Sequence, residues 1–348
     1  MRLPTSESSI HIVAALNARR QQSAALATAD HYNSRIVTRP LPDPPFYFPL
    51  RHGRYDIAPG LNRFGKNLAG GGGGRDGDDA DAKVFQIDRT FHHFRAEKLA
   101  SRAEQLDKYF CVADLSPATM MDVSVFIIER LLAEHPTLFR TTADGLYCAL
   151  TNETLNIGHG HVPRALDALA CQIQEDLAIV STSSQRGHWL TAAHVCFPNG
   201  WAPREKVGHS FAAVHEPVAG MADMNRRGEE FVNIMIGATD GLVRFAWGVT
   251  FDDRLNHHPD KPRTPFDPGN PRAFLRVERQ TIWGFPTRGA ALFTIRTYLY
   301  DVNDLRRDPA TRDPLVAALL SMSAEARAYK GLAGSFDQLI SWITSGTE

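Results

Sequence analysis

Cysteine is scarce and scattered. The chain holds four in 348 residues, Cys111, Cys148, Cys171 and Cys196, and no two are spaced as C-x-x-C. That excludes a closely spaced all-cysteine zinc or iron–sulfur site and argues against a disulfide framework, so a reducing compartment is expected. A surplus of one charge is also lacking. The 38 Lys and Arg face 39 Asp and Glu, a net charge of −1, which gives no overall field for nucleic acid or anionic lipid. No apolar run approaches the length needed to cross a bilayer, and no secretory signal is visible. Neither G-x-S-x-G nor H-E-x-x-H occurs, so hydrolase readings lack support. The glycine run at 70–74 has no strand before it and no Gly-Lys-Ser/Thr at its end, and the acids after it would repel phosphate.

Most of the chain is nevertheless able to build a core, since 43% of it is hydrophobic and only 22% charged. Residues 1–38 are expected to form an N-terminal helix and linker. Their arginines Arg2, Arg19, Arg20 and Arg35 leave mitochondrial import as the alternative to a cytoplasmic location. Residues 39–335 are expected to form the main domain, with 70–82 as a disordered Gly/Asp insertion and 336–348 as a C-terminal tail. Prolines extend 39–47.

Apolar spacing predicts three helices. Their stripes are Met121, Val125, Ile128 and Leu132; then Val162, Leu166, Leu169 and Ile173; then Leu315, Leu319, Met322 and Ala326. Between the second and third lies a strand-rich block. Strands are expected at 176–180 and 189–196, a helix from Pro203 to about His215, and more helix to about Met235. Strands follow at 242–251, 274–285 and 291–300, the last two joined by a hairpin at Pro286–Gly289. The fold class is therefore α+β. The β-β-α-β-β-β order predicts a PAS-like five-stranded antiparallel sheet with a helical crossing, plus N- and C-terminal helical extensions.

Seven segments carry a more specific likeness. They are Ile173–Ile179 (IQEDLAI), Val195–Trp201 (VCFPNGW), Glu205–Gly208 (EKVG), Ala213–Val218 (AVHEPV), Trp247–Thr250 (WGVT), Leu275–Thr281 (LRVERQT) and Leu292–Tyr298 (LFTIRTY). In this order and spacing the chain resembles the heme-dependent oxidative N-demethylases, over roughly residues 40–335. Two positions depart from the family pattern. Ala246 precedes Trp247 where Asn is usual, and Trp283-Gly284 stands where polar residues are more usual, so the amine is left open.

The resemblance implies heme b, a small amine and O₂ as substrates, and a reductase partner with flavin and iron–sulfur centres. The chain lacks a Cys₄ pattern and a G-x-G-x-x-G loop of its own. No nucleic acid or membrane partner is expected. The alternative from another class is a heme-PAS gas or redox sensor, or a heme-binding protein without turnover.

Among single residues, His215 is the first candidate for the iron ligand, because Val207, Phe211, Val214 and His215 would share a helical face. A core histidine bonded to a carbonyl is the plain competing reading. Cys196 is the rival ligand, with His194 and His209 weaker. Strand alternation places Leu275, Val277, Arg279, Thr281 and Trp283 on one face, and Phe274, Arg276, Glu278, Gln280 and Ile282 on the other. Arg279 is a candidate for polarising oxygen, Glu278 for receiving the amine, and Thr294 for a polar pocket group. A structural salt bridge is the competing role for Arg279. Lys206, Arg227 and Arg244 are candidate propionate partners, and Trp247 a candidate cofactor wall.

Overall fold

The computed structural model describes residues 40–56, 60–65, 80–142, 145–156 and 162–345. The expected N-terminal helix and most of the glycine-rich insertion lie outside these residues. Residues 80–82, read as part of that insertion, form a 3₁₀ turn in which Asp81 is buried and accepts the Tyr47 hydroxyl at 2.8 Å.

The main sheet has seven antiparallel strands, not five. They are β1 (Asn62–Arg63), β2 (Phe110–Val112), β6 (Asp176–Ser183), β7 (Gly187–His194), β8 (Leu242–Thr250), β9 (Phe274–Phe285) and β10 (Ala290–Asp301), in the order β1-β8-β9-β10-β6-β7-β2. The five strands expected from sequence form its centre, and the short β1 and β2 extend its two edges. A second sheet, β3 (Phe139–Thr141), β4 (Gly145–Cys148) and β5 (Glu153–Asn156), was not foreseen. Its strands are three or four residues long, too short for alternation to register.

Helices α1 (Phe91–Tyr109), α2 (Pro117–Glu134) and α3 (Val162–Ala170) precede β6. Ser116 caps α2 by accepting from the Thr119 N–H at 3.0 Å, the usual service of a serine at this position. After β7 come α4 (Pro203–Lys206), α5 (Phe211–His215), α6 (Ala222–Arg226) and α7 (Gly228–Gly237). The single helix expected over 203–215 is thus two. The chain leaves helical geometry at Val207, and Gly208 takes φ +93°, a region nearly closed to other residues. The break has a purpose: Gly208 donates to the Leu190 carbonyl at 2.7 Å and Leu190 donates to His209 at 2.9 Å, tying the segment back to β7. Ser210 then caps α5.

The expected C-terminal helix is likewise divided. Helices α8 (Val302–Leu305), α9 (Pro309–Leu320), α10 (Ala324–Tyr329) and α11 (Phe336–Thr344) end the chain. Leu315, Leu319, Met322 and Ala326 are all buried as expected, although Ser323 starts a new helix between them. The segment read as a tail is α11, whose Phe336, Leu339 and Ile343 are buried.

One face of the sheet is fully covered. Leu177, Ile179, Trp283 and Leu292 pack with α2, α3 and the 84–87 segment, and Trp247, Leu275, Val277 and Tyr298 pack with the C-terminal helices. The opposite face is covered only at its ends. At one end α7 lays Val232, Met235 and Ile236 on Ile282 and Ala291. Gly284 lets this helix approach, because a Cβ there would sit 2.1 Å from the Ile236 carbonyl oxygen. At the other end Cys196, Phe197 and Leu255 close over Leu299. Between the ends Ala178, Ala246, Glu278 and Ile295 remain only partly buried although they lie on inner strands. Among the described residues this middle stretch is the least covered part of the face, a candidate cleft.

Candidate functional site

The cleft floor follows from register. Glu278 pairs with Ala246 on one side and Thr297 on the other, and Gln280 pairs with Arg244 and Ile295. Alternation puts all of these on the same face as Arg276 and Gly248. Ala178, Ala246 and Gly248 carry little or no side chain, so the floor is low there. Ile295 and Phe293 supply apolar wall.

Glu278 is braced from both neighbours on its own strand face. Its carboxylate accepts from Arg276 Nε at 3.2 Å and from Gln280 Nε2 at 3.1 Å. Arg276 is sealed from solvent and donates also to the carbonyls of Leu255, at 2.9 Å, and Phe197, at 2.7 Å, and to the Thr297 hydroxyl at 3.2 Å. The acid is therefore fixed in position while part of it still meets the cleft.

His215 ends α5 at the cleft. Its Nδ1 donates to the Phe211 carbonyl at 2.8 Å. A carbonyl only accepts, so the proton resides on Nδ1 and the Nε2 lone pair is left free. The Phe211 ring lies against the imidazole with centroids 4.2 Å apart. Burial, reinforced by the positive charges of Arg244 and Lys206, holds His215 below the ordinary histidine pKa, with the Phe211 carbonyl opposing in part. A neutral imidazole with a free nitrogen is the form that ligates a metal.

The mutual influence of His215, Arg244 and Lys206 brings three of the sequence candidates together, and Arg244 in turn feels Glu278. Arg244 is pushed down by burial, and its Nε is enclosed without a hydrogen-bond partner. Gln280 Oε1 is likewise enclosed and unpaired. Twelve buried polar atoms lack a partner among the described residues; these two stand at paired positions of β8 and β9, where a single polar ligand would answer both.

The other candidates are elsewhere. Arg279 and Thr294 lie on the covered face. Arg279 is 1% exposed and donates to the backbone carbonyls of Lys83 at 2.9 Å, Asp81 at 3.3 Å and Val84 at 3.5 Å. Three carbonyls answer its two terminal nitrogens, and only Nε lacks a partner. Thr294 shares a hydrogen bond of 2.7 Å with Thr281 and is fully buried. Trp247 is core on that same face, edge-on to Tyr55 at 5.5 Å. Arg227 is an exposed residue at the start of α7, paired with Glu230 at 2.7 Å. Sequence reasoning missed Lys330, which overlies Gly248 from the end of α10. It belongs to no recognisable motif, and a lysine closing a helix is ordinary on dipole grounds.

Cys196 is fully buried among Phe94, Tyr109, Phe197 and Leu255, and burial raises its thiol far above the ordinary value. That environment opposes the thiolate a metal would need. His194, whose Nδ1 lies 4.0 Å from the Cys196 sulfur, stands in a buried cluster in which ligating atoms of Asp167, Cys171 and His194 all lie within 4.8 Å. His194 Nε2 bonds Asp167 at 3.0 Å, and Arg102 neutralises the same carboxylate at 2.5 Å. The Asp167 carboxylate is thus answered by both a histidine and a guanidinium. His209 is exposed.

Among the described residues no helix is long and apolar enough to cross a membrane. A family model described as "Haem-dependent oxidative N-demethylase, alpha subunit-like" matches residues 78–340, about three quarters of the 348-residue chain.

Proposed function

The chain belongs to the haem-dependent oxidative N-demethylase, alpha subunit-like family, and from that premise we propose that the cleft binds heme b, with His215 as axial ligand, and that the protein removes an N-alkyl group from a small amine. The observation that carries this is the His215 imidazole, neutral, with Nδ1 committed to Phe211 and Nε2 free beside the unpaired Arg244. The residues fit the group. They offer a neutral nitrogen ligand, an apolar wall in Ile295 and Phe293, low ground at Ala178 and Ala246, and cations in Arg244 and Lys206 for propionates. The sequence of the five central strands supports a PAS-like core for this site, with β1, β2 and the helices as additions.

When bound, heme supplies oxygen activation at the C–H bond next to nitrogen. The overall reaction converts an N-methyl amine, O₂, two electrons and two protons into the shorter amine, formaldehyde and water. The electrons come from a separate reductase. The chain's own contribution is position and charge. Glu278, held by Arg276 and Gln280, receives the ammonium form of the amine and takes up its proton, so that the nitrogen lone pair is released beside the carbon to be oxidised. Arg279, expected to polarise oxygen, is assigned to holding β9 against the 81–84 segment, and Thr294, expected as a polar pocket group, to bonding β10 to β9 through Thr281.

Titration of the purified chain with hemin tests the reading. Stoichiometric Soret absorbance in the wild type and its weakening in His215→Ala, with recovery on adding imidazole, are expected. A wild-type chain that leaves hemin in its free spectrum would overturn it.

A further inference from the structure

Two cations, Arg244 and Lys330, lie within electrostatic reach of one another toward the Gly248 end of the cleft, and neither side chain forms an ion pair among the described residues. Lys330 follows α10, and its chain lies directly over Gly248: a Cβ built there would be 3.6 Å from Lys330 Cδ and 3.7 Å from Nζ. Gly248 pairs with Arg276, one step along β9 from Glu278, and Arg244 stands two strand steps back on the same face of β8. The Lys330 ammonium forms no hydrogen bond or ion pair among the described residues. It lies 5.7 Å from the centroid of the Tyr329 ring. Arg244 has no bonded partner either, and its Nε is enclosed.

Glu278 is the one carboxylate within the influence of both. It is already engaged by Arg276 and Gln280. Asp56 also acts on Arg244, so the local sum is three cations, Arg244, Arg276 and Lys330, against two acids. Burial depresses the Lys330 ammonium, and Arg276 and Arg244 press it further down against the pull of Glu278. Charges so placed are costly unless a ligand of opposite sign completes them. A cationic amine would also be repelled from Glu278 by two unpaired neighbours.

We propose that Arg244 and Lys330 form a carboxylate clamp at the Gly248 end of the cleft. The proposal rests on the cleft being the functional site. Two sources share the chemistry: a propionate of heme, or the carboxylate of an amino-acid-like amine substrate. Gly248 leaves the floor open beneath the lysine stem, which a Cβ there would meet at ordinary van der Waals distance. The charge balance that results leaves Glu278 free to receive a cation.

The test compares each acid with its own ester on the full-length chain. Hemin and hemin dimethyl ester are titrated by Soret absorbance, and N-methylglycine and its methyl ester by calorimetry. The wild type should prefer the free acid by about tenfold or more in at least one pair. In Lys330→Met and Arg244→Met that preference should fall to about threefold or less. Both variants keep side-chain volume and remove an unpaired cation, so unchanged thermal unfolding serves as the folding control. Selectivity in the porphyrin pair assigns the clamp to propionate, and selectivity in the amine pair assigns it to substrate. Equal binding of acid and ester in both pairs, or a preference that survives both substitutions, overturns the clamp. If neither porphyrin binds, the heme reading fails, and the amine pair alone decides the clamp.

Discussion

Glu278 and Arg279 are adjacent in sequence and separated by the thickness of the sheet. Glu278 is bonded along its own face to Arg276 and Gln280 above the cleft, while Arg279 is buried on the far side against the carbonyls of Asp81, Lys83 and Val84. The two residues therefore answer different experiments.

Glu278→Gln should abolish amine-induced shifts of the hemin-loaded spectrum while hemin itself still binds. The substitution also leaves Arg276 without its carboxylate, and a loss of about 1–3 kcal/mol in urea unfolding is expected from an unbalanced buried guanidinium. Amine titrations identical to wild type would place the cation site elsewhere.

Arg279→Met should leave hemin titrations unchanged and lower stability instead. Three backbone carbonyls lose their donor, which costs about 2 kcal/mol or more. The measurement is the shift of the urea midpoint together with the Soret titration. A variant as stable as wild type but defective in hemin or oxygen binding would reverse the assignment of faces.

Gly284→Ala probes the approach of α7. A methyl group 2.1 Å from the Ile236 carbonyl oxygen must displace the helix or the strand, at a cost of about 1–3 kcal/mol typical of overpacking. Because α7 also forms one end of the cleft, hemin affinity should fall with stability. Loss of neither would mean that the helix end moves freely.

Stability should decline as pH rises through neutrality because of Glu134. Burial raises this carboxyl to about 7, against opposing backbone bonds from Val84 and Phe85 and the nearby Arg130. Its folded pKa lies above the unfolded value of 4.5. The protonated form therefore supports the fold fully below the unfolded pKa, and that support is lost as pH rises through the folded one. The whole effect is on the order of 3 kcal/mol. Unfolding free energies measured from pH 5 to 8 should fall less steeply in Glu134→Gln than in wild type. Parallel curves for the two proteins would refute the role.

The strands were legible because β8, β9 and β10 run nine to twelve residues with steady alternation, and alternation also sorted Glu278 from Arg279. Which face carried the cleft was not legible. A guanidinium in an apolar row looks the same whether it awaits a ligand or bonds carbonyls, and only the 81–84 segment, almost 200 residues away, decides it. His215 was singled out by its motif, although the helix invoked to orient it is broken at Gly208. Lys330 was invisible because its partners, Gly248 and the cleft floor, come from strands far earlier in the chain. Helix divisions at Ser210 and Ser323 were missed since a capping serine inside an apolar stripe does not disturb the stripe.

The pairing of β10 with β6 has a consequence for how the protein is made. Ala290 opposes Ser181, so strands more than a hundred residues apart are neighbours, and β10 is inserted between β6 and β9. During synthesis the β6–β7 hairpin waits with one edge bare until almost the whole chain has emerged. Such non-local closure is slow, and a bare edge invites pairing with another chain. Lys330 follows β10, so the cleft acquires its last cation only after the sheet has closed. Nascent chains are thus expected to be most prone to aggregate, and least able to retain hemin, until the ribosome has passed the final helices.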